Sequence, residues 1–451
     1  MTTQTPSLLL EKNLSHFDLQ VRSETLNQLA LSLQSGDLDY FPARSVANMH
    51  CHTFFSFNAY GYSPTALAWL AKKNGYKLMG IVDFDVLDGV DEFLDACELL
   101  GVAASTGIET RNFLPEFADV EINSPGEPGV YYNMGIGFST GDVPPQAQAI
   151  LTDLRNRSAR RNRAIVERVN DYLFPIKVDY EKDVVPLTPA SNPTERHIVL
   201  AYLQEVERET LDPKEYWGKK LGLTDSQKAN EAQDTAQLQN LIRSKLMKRG
   251  GAGYIQPNPD SFPIVDQFYE LALLCGALPC ATWLDGLSKG EQVFSEILEL
   301  LVSKGAAALN LVPDRNWNIQ DKELKAKKLQ NLYDVVELAG KMHLPINIGT
   351  EMNTYGNKLI DDFDVPELAP VRNAFLDGSY FIYGHTVLHR ALGLGYQSTW
   401  ARSHFPSRKQ RNQFFTKAGY SIPPGKSSMQ KLKDQDQQML PDDLLAMFKR
   451  G

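Results

Sequence analysis

The sequence predicts an α/β protein, either a barrel or an open doubly wound sheet, and three observations predict it. Short apolar runs alternate with amphipathic helical segments between residues 45 and 110. The same alternation returns at Phe262, after a long polar stretch. Connections inside each alternating block are short, and strand–helix–strand units with such links pair their strands in parallel with right-handed crossovers.

Residues 1–44 read as a helical leader, with Leu26, Leu29, Leu31 and Leu33 at partly helical spacing and Gly36 as its stop. Ser45 to His52 reads as a short buried strand. Ser63-Pro64 then supplies an N-cap and a first-turn proline for a helix through Lys73. Residues 77–84 (KLMGIVDF) form the next predicted strand, VDEFLDACELL the next helix after Gly89, and residues 102–110 (VAASTGIET) a third strand. Residues 111–140 read as a loop and a further strand around VYYNMGIGF.

From about 141 to 260 the composition turns polar and helical. We read this as an insertion into the 45–360 barrel unit, not as an independent domain. Its arginines 155, 157, 160, 161 and 163 form a run whose ordinary role is a solvated helix face. Bordering a pocket, the same run would favour an anion. Beyond Phe262 the predicted order is helix (FPIVDQFYELALLCGA), strand (LPCATWL), one helix (GEQVFSEILELLVSKGA), strand (AALNLV), helix (DKELKAKKLQNLYDVVELAGKM) and strand (LPINIGT). Residues 361–451 form a C-terminal helical extension with no repeat.

Composition excludes several classes. The chain has 451 residues, 43% hydrophobic and 22% charged, enough for a sizeable core and unlike a disordered chain. A net charge of −9 speaks against general nucleic-acid binding, which needs a basic face to displace counterions. Four cysteines in so long a chain make no disulfide framework. No signal peptide and no apolar run of membrane-spanning length is evident. The expected location is cytoplasmic.

His50 and His52 lie two apart at the end of the first predicted strand, so both side chains leave the same face. At the carboxyl end of a barrel strand that face is the mouth, where such folds keep their sites. HCHTFFS, then IVDFD, then TGIET, each at a predicted strand end, resemble the polymerase and histidinol phosphatase-like (PHP) superfamily of metal-dependent phosphoesterases. CGALPCATW and INIGTEMN fall where that family has an Ala-His-Pro strand end and a Gly-Ser-Asp-x-His strand end. TERHIVLAYL, inside the insertion, is similar to a Thr-Arg-x-His segment of one branch.

The resemblance covers roughly residues 45–355. It implies a distorted (β/α)7 barrel with up to three metal ions. The departures reduce that number. Phe57, Phe84, Tyr132 and Thr282 stand where the family has ligands, and its final aspartate and histidine become Glu351 and Asn353. His50, His52, Glu109 and Glu351 survive. In the family pattern these gather round a single metal, so one divalent ion (Zn, Mn or Fe) is expected.

The remaining candidates are Asp83 and Arg111 for catalysis and Arg111 and His197 for substrate binding. Arg111 shares the strand face of Glu109 and would stabilise developing charge; the plain alternative is a surface arginine. Asp83 would orient a histidine or act as general base, whereas Asp85 reads as a cap for the next helix. His385 and His389 share a helix face at the spacing of half an HExxH motif, but Thr386 replaces the glutamate, so packing at a helix start is the plainer role. If the C-terminal segment covered the mouth, His385 would supply a lost ligand.

The expected function is a divergent PHP-like hydrolase, a phosphoesterase acting on a small anionic or phosphorylated molecule. The alternatives are a non-catalytic binding or regulatory protein with a degenerate metal site, or another metal-assisted barrel reaction.

Overall fold

The computed structural model describes residues 6–224, 235–258 and 260–448. Seven strands form one sheet in chain order: β1 (Arg44–Cys51), β2 (Tyr76–Phe84), β3 (Ala103–Phe113), β4 (Val130–Ile136), β5 (Leu278–Thr282), β6 (Ala308–Leu311) and β7 (Ile346–Ile348). The sheet curls into a nearly closed barrel, because an isolated parallel bridge joins Cys51 at the end of β1 to Glu351 just past β7.

Helix α1 (Pro6–Asn13) and helix α2 (Leu19–Ser35) precede the barrel, and α2 ends at Gly36 with a left-handed φ of 80°. Arg22 of α2 pairs with Glu92 at 2.5 Å, and both side chains are buried. Glu92 also accepts from the Thr65 hydroxyl at 2.7 Å. This fastens α2 to helix α3 (Pro64–Lys73) and helix α4 (Val90–Leu100). The Ser63 cap is present, its hydroxyl accepting from Ala66 N at 2.9 Å.

Three expectations change. β4 runs antiparallel to both β3 and β5. The link from β3 to β4 contains only a single short 3₁₀ turn, Pro115–Phe117, and a parallel return needs a crossover of helix length. The single helix expected after β5 divides into Lys289–Gln292 and Phe294–Ser303. There the Glu291 carboxylate turns back to accept the backbone N–H groups of Leu284, Asp285 and Gly286, which holds the first turn to the loop. Asp85 does not cap α4, whose cap is Gly89 without a side-chain bond; its carboxylate instead accepts from the Thr110 hydroxyl at 2.6 Å.

Helix α5 (Pro145–Leu173) has 29 residues and serves two cores. Its first half puts Ala147, Ile150, Leu151 and Leu154 into the barrel's apolar cluster. Its second half puts Ile165, Val169 and Leu173 into a separate cluster with Ile198, Tyr202 and Trp217. Among the described residues, no helix is long and apolar enough to cross a membrane.

The C-terminal helix Arg372–Leu392 closes the end of the barrel away from His50 and His52. A Cβ on its Gly378 would lie 2.0 Å from the carbonyl of Ile346, the first residue of β7. His385 sits well inside this helix, not at its start, and Nε2 donates to Gly137 O at 3.0 Å, just past β4. Its Nδ1 accepts from Tyr396 N at 2.9 Å. It is therefore a neutral packing residue and supplies no ligand at the mouth.

Burial, reinforced by the charge of His389, lowers His385 from its ordinary value to about 3. Below a pH of about 6.5 the unfolded chain takes up a proton that the folded chain refuses, so stability falls as pH drops toward 3. In urea titrations across that window, His385→Gln is expected to flatten the slope by up to about 1.4 kcal/mol per pH unit; an unchanged slope would show that His385 is protonated in the fold. At the mouth, a Cβ on Gly349 would lie 2.3 Å from the Cβ of His50. Gly349→Ala is expected to destabilise the protein by about 1–3 kcal/mol, and an unshifted denaturation midpoint would refute so close an approach.

Candidate metal centre

Barrel closure creates the site. Glu351 N donates to His50 O at 2.9 Å, and His52 N donates to Glu351 O at 2.8 Å. These two bonds hold the last turn of β1 in register with the segment after β7. Glu351 and Met352 both take left-handed φ, 63° and 59°, as does Asp85 at 58°. Such strain in residues other than glycine collects at functional sites.

From this frame His50 and His52 point at Glu109 on β3. Their Nε2 atoms lie 3.4 and 3.3 Å from the same oxygen, Glu109 Oε2. All three residues are buried, and their donor atoms lie within 4.8 Å of one another. Yet His50 Nε2, His52 Nε2, Glu109 Oε2 and also His50 Nδ1 make no hydrogen bond. Leaving a buried polar atom unmatched costs about 1–3 kcal/mol, so converging orphans call for a ligand. Donors about 3.3 Å apart suit a tetrahedral shell with bonds of about 2.0–2.1 Å, and two imidazoles with one carboxylate suit Zn, Mn or Fe. The residues fit a divalent ion with at least one coordination position left open.

Electrostatics agree. Burial pushes the Glu109 carboxyl up, but the two imidazoles pull it down to about 2. Burial works against a protonated His50, yet Glu109 and then Glu351 outweigh it and raise its affinity for a proton.

Asp83 stands behind His52 and outside the trio. It accepts from Thr53 N and Thr53 Oγ1, both at 2.7 Å, and from Ser56 Oγ at 2.5 Å. Ser56 Oγ also lies 3.1 Å from His52 Nδ1. Since the Ser56 proton goes to Asp83, the serine oxygen accepts from His52 Nδ1–H. This tautomer leaves the Nε2 lone pair facing Glu109. Asp83, with every contact accounted for, positions the imidazole. Burial raises its pKa despite the charge of His52 and the hydroxyl bonds.

Aromatic rings line the rest. Phe84 stacks flat on His52, with ring centroids 5.0 Å apart and planes 4° from parallel, and Tyr132 meets Phe84 edge-on at 6.2 Å. Phe57 packs edge-on against His197 at 5.2 Å.

The other expected residues lie outside the trio. The Glu351 carboxylate is held by Arg315 at 2.6 Å. His197 caps its own helix, α6 (Glu195–Glu209), with Nδ1 accepting from Thr194 N at 3.0 Å, and burial lowers its pKa to about 3. Arg111 pairs with Glu127 at 2.9 Å, lies 3.9 Å from Glu195 and sits over the Phe262 ring at 4.4 Å.

Two arginines absent from the sequence reading border the mouth. Arg315 follows β6 and is raised by Glu351 first and, more weakly, by Glu109. Arg196 donates to the Thr354 hydroxyl at 2.5 Å and lies over Phe57 at 5.7 Å. The signal for Arg315 was positional, since it follows a strand's carboxyl end.

No family model and no curated protein matches this chain. Two solved structures are similar in fold. One is an amidohydrolase from Chromobacterium violaceum with bound sulfate and no metal, 13% identical, TM-score 0.49, covering 74% of this chain and 96% of that one. The other is a candidate metal-dependent phosphoesterase from Bifidobacterium adolescentis, 17% identical, TM-score 0.46, covering 74% of this chain and 98% of that one. Neither match assigns a residue or a reaction to this chain.

Ser56→Ala removes the acceptor that fixes the His52 tautomer. Titration with Zn²⁺ or Mn²⁺ against a competing chelator is expected to show affinity about 10–100-fold lower. Unchanged affinity would mean that the serine does not orient the ring. Because a ligating imidazole must be unprotonated, and Glu109 and Glu351 raise the affinity of His50 for a proton, wild-type metal affinity is expected to rise with pH. Calorimetry in buffers of different ionisation enthalpy counts the protons released.

Proposed function

We propose that this chain is a divergent PHP-type (β/α)7-barrel hydrolase that uses one divalent metal ion, a phosphoesterase acting on a small anionic substrate. The observation that carries this reading is the buried trio of His50, His52 and Glu109, whose converging donor atoms have no partners. Bound there, the ion would supply Lewis acidity to water and to a phosphoryl oxygen.

The protein's own groups do the rest. Ser56 and Asp83 hold His52 in the ligating tautomer. Phe84, flat against His52, fills space that a second ion would need. Arg315 and Arg196 bring positive charge to the mouth for an anionic substrate, and Arg315 keeps Glu351 ionised against the cost of burial. A non-catalytic binding protein is the second reading. It draws on Phe84 standing in a ligand position and on Glu351 already being engaged by Arg315.

Metal analysis of protein purified without added metal or chelator is expected to find about one equivalent of Zn, Mn or Fe, lost in His50→Ala and His52→Ala. Finding no metal under any loading condition would overturn the metal site. In a phosphoester screen with these ions, Glu109→Gln is expected to lower turnover by at least about 100-fold. Full activity in that variant would place the chemistry elsewhere, and a loaded protein with no turnover would favour the binding reading.

A further inference from the structure

A cavity of about 320 Å³ opens beside the end of β3, and none of His50, His52 and Glu109 lines it. Its walls come from Arg111 on β3, from the middle of α5 and from the stretch 247–262. Most of its cations are matched. Arg111 pairs with Glu127, and Lys248 pairs with Glu195 at 2.7 Å. Arg157 pairs with Asp153 at 2.6 Å and donates to Asp260 O.

Arg160 and Arg161 make no ion pair among the described residues. Arg161 Nη2 reaches Ser158 Oγ at 3.5 Å, the limit of a hydrogen bond, and its buried Nε has no acceptor among the described residues. Its guanidinium lies 4.9 Å from the Phe262 ring, while Arg111 lies 4.4 Å from the same ring. Two like charges thus share one aromatic wall; the buried Asp85 carboxylate, which accepts from the Thr110 hydroxyl, offsets Arg161 in part, as do Glu195 and Glu127. Burial and then Arg111 push Arg161 down to about 10; burial, with Arg243 and Arg111, brings Lys248 to about 8 despite Glu195. Five cations (Arg111, Arg157, Arg160, Arg161 and Lys248) line the cavity against three acids (Glu127, Glu195 and Asp260). Ile165, Met247 and Ile255 give it an apolar side.

We infer that this cavity is an anion-binding site, distinct from the metal trio, that takes a phosphoryl dianion carried on a small organic body and is read by Arg161 with Arg160. A half-buried guanidinium with an unpartnered Nε beside an aromatic ring is a donor set suited to phosphate. The inference stands whether or not the trio binds metal. The phosphoryl group has two sources: a free phosphate compound, or a second phosphoryl group on a substrate that also reaches the trio.

Calorimetry with inorganic phosphate at low ionic strength tests the site. Wild type is expected to bind, Arg161→Met to weaken binding by at least about 10-fold, and Arg161→Lys to recover part of it. Arg160→Ala, an exposed change that leaves the fold alone, is expected to weaken it by a smaller factor, and His52→Ala to leave it unchanged. Wild type that fails to bind, or equal binding by Arg161→Met, would overturn the site. So would loss of binding in His52→Ala alone, which would place the anion at the trio. Fructose 1,6-bisphosphate with Mn²⁺ separates the sources. Weakening by both Arg161→Met and His52→Ala marks one ligand spanning both sites, whereas weakening by Arg161→Met alone marks a free anion.

Discussion

Two backbone hydrogen bonds between residues three hundred positions apart hold the site together. His50 O and His52 N clasp Glu351, and the absence of a side chain at Gly349 lets β7 come close enough for them to form. The consequence is local rigidity. β1 cannot slide past β7 without breaking both bonds, and a one-residue slip would turn both imidazoles away from Glu109. The left-handed residues Glu351 and Met352 are the conformational cost of that closure.

Much of this centre was legible because strand geometry is simple. A period of two puts His50 and His52 on one face, and the end of a barrel strand makes that face the mouth. Glu109 followed from the resemblance, and its carboxylate lies beside both imidazoles. What stayed hidden depends on partners far away in sequence. No spacing rule shows that Arg315 holds Glu351, that Glu127 holds Arg111, or that Thr194 claims the Nδ1 of His197. The reversed direction of β4 was missed for another reason. The strand's composition is ordinary, and only the missing crossover helix before it reveals its sense.

The mouth is also an electrostatic arrangement. Most of its buried carboxylates have a designated cation or donor: Glu351 has Arg315, Glu195 has Lys248 and Arg243, and Asp83 has the Thr53 and Ser56 hydroxyls, whereas Glu109 Oε2 is left without one. A chain of net negative charge thus gathers a cluster of cations beside α5 without being basic as a whole.

Helix α5 has a consequence for anyone wishing to edit this chain. One uninterrupted rod of 29 residues, about 43 Å long, is rooted in the barrel's apolar cluster at one end and in the second apolar cluster at the other. There is no seam between them. Excising the residues of the second cluster means cutting through a continuous helix and exposing apolar residues on both sides of the cut. Grafting it onto another scaffold means carrying half a barrel helix with it. The two parts of the molecule are for practical purposes inseparable, although their apolar clusters are distinct.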